Sequence, residues 1–175
     1  MRSLVISGGG SKGAFAVGAI ARLWEAGIRW DTIFGTSTGA LIAPMVGLGL
    51  MQELADLYST VTTDDIIRKR EWPELLRHAS FYDSDPLWHL ITQTITQERY
   101  AQLTQSAIDV YLSTVHMQSG KVVYWHQHTN GPLDGSTPPA RPPAAGTPLA
   151  WLQFVRAMLA SASPPLLFPL VEIYD

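Results

Sequence analysis

Residues 32–51 read TIFGTSTGALIAPMVGLGLM, twenty positions without a charge. That is long enough to cross a bilayer. Glycines, Pro44 and the polar group Thr32, Thr36, Ser37 and Thr38 interrupt it, however. The stretch divides instead into an apolar strand, Thr32-Ile33-Phe34, a small-residue turn, Gly35-Thr36-Ser37-Thr38-Gly39, and an apolar helix over about Thr38–Leu48. The same grammar precedes it. Leu4-Val5-Ile6 is a short apolar run that ends in Ser7-Gly8-Gly9-Gly10, and Ala14, Val17, Ile20, Ala21 and Trp24 then recur at helical spacing until Gly27 supplies a stop. Strand, helix, strand, helix with short links predicts a parallel sheet covered by helices. The expected fold class is therefore α/β, a three-layer α/β/α arrangement with a mainly parallel central sheet.

Further along, helices are expected over Gln52–Thr60, Trp72–His78, Pro86–Thr94 and Gln97–Gln105. Ala107–His116 and Val122–Gln127 alternate and are rich in Val, Tyr and Thr; they flank Gln118-Ser119-Gly120-Lys121 as a hairpin. The segment 131–148 is dense in proline and has no apolar period, which predicts a loop. Leu149–Ser161 resumes helical spacing, Pro164-Pro165 ends it, and Leu166–Ile173 is expected to be extended.

Composition narrows the function classes. The chain has 175 residues, room for one domain with a real core. It has no cysteine, which excludes disulfides, a thiol nucleophile and Cys-based metal sites. Charged residues are 15% of the chain, against about 25% in an ordinary soluble domain. With a net charge of −3 and a pI near 5.9, no nucleic-acid footprint is evident. No signal-peptide pattern opens the chain, so a cytoplasmic protein is expected.

Two glycine patterns carry chemistry. Gly8, Gly10 and Gly13 fit G-x-G-x-x-G between a strand and a helix. A dinucleotide site would also need an acidic residue at the end of the second strand, and Asp31 precedes that strand. A phosphate loop of the Walker type is excluded because Gly13 follows Lys12. What remains is a backbone that approaches a ligand closely, with N–H groups and a helix N-terminus favouring a phosphate or an oxyanion. For the glycines alone a plain tight turn is the preferred reading; a dinucleotide- or phosphate-binding module using Gly8–Gly13, or a truncated non-catalytic homologue, is the alternative to an enzyme.

Gly35-Thr36-Ser37-Thr38-Gly39 fits G-x-S-x-G, the nucleophile elbow, and has the required strand before and helix after. An elbow serine needs a base. The histidines are His78, His89, His116, His126 and His128, and none stands in a catalytic context. With Ser119-Gly120 as a two-residue turn, His116 pairs with Val123 and faces away from His126 and His128, so a three-histidine metal cluster is not expected.

Taken in order, LVISGGGSKGAFAVGAIARLWEAGI, IFGTSTGALIA and LASASPPLLFPLVEIYD resemble the opening strand and oxyanion loop, the nucleophile elbow, and the approach to the D-G-G or D-G-A motif of the patatin-like phospholipase family. The resemblance implies a serine lipid acyl hydrolase with a Ser–Asp dyad: Ser37 as nucleophile, Asp175 as base, and the backbone N–H groups of Gly9, Gly10 and Ser11 as the oxyanion hole. It implies no metal and no cofactor, a lipid or acyl-ester substrate, and transient contact with a membrane surface. The family's aspartate is followed by glycine and more chain, whereas this sequence stops at Asp175. A single patatin-like domain over 1–175, incomplete at its C-terminus, is the expectation. Pro86–Ile91 and Pro164–Leu170 are candidates for an acyl groove, although core packing explains both as well.

Overall fold

The computed structural model describes residues 1–72, 80–128 and 147–173. The expected helix over Trp72–His78, the proline-rich loop over 131–148 and Asp175 lie wholly or largely outside the described residues.

The opening unit forms as the apolar periods dictate. Strand β1, Ser3–Ile6, leads through a 3₁₀ turn at Gly10–Lys12 into α1, Gly13–Glu25. Gly27 follows with φ +79°, the left-handed conformation that ends helices and that glycine adopts without a steric penalty. Strand β2, Thr32–Thr36, then feeds α2, Thr38–Gly47. Helix α2 is apolar on every side and buried from Thr38 to Gly47 apart from the half-buried Leu41, as expected of a helix without a polar face. The uncharged stretch is thus a strand, a turn and a core helix. No helix among the described residues is long and apolar enough to cross a membrane.

Helix α3, Met51–Thr60, follows, then two short antiparallel strands that sequence reading missed, β3, Arg68–Lys69, and β4, Tyr82–Asp83. With two residues each, they are too short to show an alternating pattern. They are joined by the Asp83 carboxylate, which accepts from Arg68 and lies 3.8 Å from Arg70. Helices α4, Asp85–Thr94, and α5, Gln97–Thr104, come next, and the Thr96 side chain caps α5 by accepting from the Arg99 N–H. The hairpin is β5, Asp109–His116, and β6, Lys121–His126. Helix α6, Pro148–Ala162, starts on a Thr147 cap.

The central sheet has the order β1-β2-β5-β6; the first three strands are parallel and β6 is antiparallel. This is the expected α/β class with a mainly parallel sheet. Helices α2 and α6 make the main helical contacts with the sheet. Ile33, Val110 and Leu112 on the covered face are fully buried. Of the expected layers, the described residues build the sheet and this helical cover. On the opposite face, Val5, Phe34, Tyr111 and His126 form one row across all four strands, and Val5 is 74% exposed.

Two expectations are corrected. His116 pairs with Lys121, not Val123, because the turn spans four residues, Met117–Gly120. The slip is two residues, so His116 still faces away from His126. Leu166–Ile173 forms no strand. Leu166 adopts φ 71°, the Phe168 N–H bonds back to the Pro164 carbonyl, and the Leu166 and Leu167 carbonyls accept from Phe81 and Tyr82. The prolines at 164, 165 and 169 remove the donors that a strand would need.

Candidate active site

Ser37 occupies the sharp turn between β2 and α2. Its backbone has φ 55° and ψ −123°, a conformation that costs a non-glycine residue about 1–3 kcal/mol and survives only where its surroundings impose it. Two close backbone approaches do so here. A Cβ at Gly39 would lie 2.1 Å from the Ile6 carbonyl oxygen, and one at Gly35 would lie 2.3 Å from the Gly39 carbonyl oxygen. Both expected elbow glycines are therefore there because nothing larger fits.

Hydrogen bonds complete the turn. The Ser37 N–H donates to Ser161 Oγ at 2.8 Å, from the last turn of α6. Thr36 Oγ1 pairs with Ser113 Oγ at 2.6 Å, and Thr38 Oγ1 with the Tyr58 hydroxyl at 2.8 Å. Burial raises the Tyr58 pKa, opposed by the Thr38 bond, so its hydroxyl stays protonated. Sequence reading found none of these partners. Ser161 carried a faint signal as a polar residue ending an apolar helix.

The glycine-rich loop meets the elbow. A Cβ on Gly8 would lie 2.8 Å from Ser37 Cβ, so the loop passes directly over the serine. Gly10 has φ +56° and opens the 3₁₀ turn, while Gly9 precedes it. A Cβ at Gly13 would lie 2.6 Å from Thr38 Oγ1, which holds the N-termini of α1 and α2 side by side. Two helix N-termini thus converge beside Ser37 and favour negative charge there. Lys12 is exposed. Asp31 receives the Arg2 N–H and lies 3.5 Å from the N-terminal amine, at the far end of β2 from the glycine loop. That position does not serve a ribose bound at the loop.

Gly10, Ser11 and Ser37 line one cavity of about 490 Å³, within the ordinary range for a small-molecule site. Its walls are mostly apolar: Leu41, Met45, Leu57, Ile66, Leu87 and Met158 among others. Leu87, Leu90 and Ile91 of α4, with Pro164 and Phe168, also contribute, so both segments singled out in the sequence reach it.

The family model for patatin-like phospholipases matches residues 4–175. The chain belongs to the patatin-like phospholipase family. Over 54 residues it is 43% identical to a cUMP-AMP-activated phospholipase of Escherichia coli; that match covers 27% of this chain and 17% of the relative. The elbow, glycine loop and cavity described above are the parts of this patatin-like domain that come together; Asp175 lies outside the described residues.

Among the described residues, no histidine lines the Ser37 cavity. His116 Nδ1 pairs with Ser119 Oγ at 2.8 Å in the hairpin turn. His126 stacks on Tyr111, and its Nε2 lies 3.1 Å from Asp109 Oδ1. Burial lowers the His126 pKa, opposed by the bond to Asp109 and its charge.

Proposed function

We propose that this patatin-like chain is a serine lipid acyl hydrolase that cleaves carboxylic esters of phospholipids or related lipids through an acyl-enzyme. The observation that carries the reading is Ser37, held in a strained elbow under the glycine loop and opening on an apolar cavity. Ser37 Oγ attacks the ester carbonyl while the Asp175 carboxylate takes its proton. The N–H groups of Gly9, Gly10 and Ser11, with the two helix N-termini behind them, stabilise the oxyanion. Collapse of the tetrahedral intermediate expels the alcohol, which receives the proton from Asp175. Water, deprotonated by the same carboxylate, then attacks the acyl-serine and releases the fatty acid. No step uses a metal or a cofactor.

The cavity's apolar walls suit an acyl chain. Around it, Phe15 lies beside Ala14, and Leu166 and Leu167 lie beside Phe168; all three are exposed, Leu166 by 72%. Such a rim supports transient contact with a membrane surface.

The test is hydrolysis of phospholipid and simple esters by the wild type, Ser37→Ala and Asp175→Asn, with fluorophosphonate labelling of the same samples. Both variants should lose at least about a hundredfold in kcat, and labelling should disappear with Ser37→Ala. Equal rates in all three proteins would refute the mechanism. Loss with Ser37→Ala but not Asp175→Asn would move the base to another residue.

A further inference from the structure

The hairpin brings together a ligand set that the hydrolytic site does not use. Strand β6 ends at His126, which Tyr111 faces, and the turn that follows brings His128 close to His126 and Asp109. Asp109, His126 and His128 each offer one donor atom, and these atoms lie within 4.8 Å of one another. His126 is the anchor: only 11% of its side chain is exposed, it stacks on Tyr111 with ring centroids 4.5 Å apart, and His128 meets its edge at 5.0 Å. Asp109 and His128 are open to solvent.

We propose that Asp109, His126 and His128 bind a single divalent transition-metal cation of the zinc class at the start of β5. Tetrahedral zinc with bonds of about 2.0–2.1 Å places its ligands roughly 3.4 Å apart. The His126–Asp109 pair already meets that spacing at 3.1 Å. His128 closes the remaining gap by a small movement of an exposed side chain. Two imidazoles and one carboxylate suit zinc, nickel, copper or cobalt far better than calcium or magnesium. Solvent supplies the remaining ligand position.

The site is separate from catalysis. Asp109 pairs with Thr32, the first residue of β2, whose last residue, Thr36, precedes Ser37 and lies about 13 Å along the strand. The cation ties the edge strand β6 to β5 and stabilises the folded chain by mass action. The inference does not depend on the hydrolase reading.

The experiment is zinc titration by calorimetry of the chelator-treated full chain, repeated for Asp109→Asn, His128→Ala and His116→Ala, with thermal unfolding with and without zinc. Asp109 and His128 are chosen because they are exposed, so their variants keep the fold; unchanged melting without metal verifies this. One zinc per chain should bind with micromolar Kd or tighter and raise Tm. Asp109→Asn and His128→Ala should each weaken binding at least about tenfold. His116→Ala, on the other face of the hairpin, should bind as the wild type does. Absence of binding below 1 mM zinc, or binding that both ligand variants leave unchanged, would overturn the proposal.

Discussion

Replacing Ser161 tests whether the elbow is held from outside its own strand and helix. Its Oγ accepts the Ser37 N–H at 2.8 Å, across 124 residues of sequence. Ser161→Ala removes that acceptor but leaves room for water, so the loss should be near a net hydrogen bond, about 0.5–1.5 kcal/mol. Ser161→Val fills the space with methyl groups and denies water to the amide, so the cost should rise to about 1–3 kcal/mol. For a chain of this size each kcal/mol lowers Tm by about 2–4 °C. The same bond steadies a backbone conformation at φ 55° that relaxes once the tether goes. A displaced nucleophile lowers kcat, by about tenfold or more, while binding in the apolar cavity leaves KM little changed. Thermal unfolding and ester kinetics on both variants give the two readouts. If Ser161→Val melts within a degree of the wild type and keeps kcat within twofold, the elbow is self-supporting and the reasoning fails.

Three other outcomes are expected. Gly39→Ala should destabilise by at least about 3 kcal/mol, since its Cβ would lie 2.1 Å from the Ile6 carbonyl oxygen and neither backbone can give way; a melt near wild type would show that the elbow has slack. Leu41→Trp, on the cavity wall, should shift ester preference from long toward short acyl chains, read as the kcat/KM ratio for C4 against C16 esters; an unchanged ratio would place the acyl chain elsewhere. Asp83 is buried, which pushes its carboxyl up, but the Asp85 N–H, Arg68 and Arg70 outweigh burial and hold it below the usual range. Its contribution is therefore complete above the unfolded value of about 3.9 and disappears as pH falls through the lower folded value. Asp83→Asn should cost stability at pH 7 in urea denaturation and the gap should narrow below pH 4; a gap that widens in acid would reverse the sign.

The first half of the fold was legible because its signals are local. Glycines 8, 35 and 39 mark close approaches and Gly10 a left-handed turn, and the apolar periods between them specify strand or helix without reference to anything distant. The hairpin was legible in its strands but not its register, since Gly120 allowed a two-residue turn where four residues are used. Leu166–Ile173 misled because its leucines resemble a strand while its prolines prevent one. Tyr58 and Asp109 carried no pattern at all, and Ser161 only a faint one. Each acts through a partner far away in sequence, and a single sequence records such pairs only once the chain is folded.

One consequence follows from how Ser37 is positioned. The contacts that set its backbone angles, Gly39 on Ile6 and Gly35 on Gly39, lie within the first forty residues. Much of the cavity wall, and the Ser161 tether, come from α3, α4 and α6, later in the chain. The turn that presents the nucleophile is thus written mainly early in the chain, while much of the pocket's shape is written later. Ser161 aside, cavity-wall substitutions after residue 50 can retune which ester enters without redrawing the turn that attacks it.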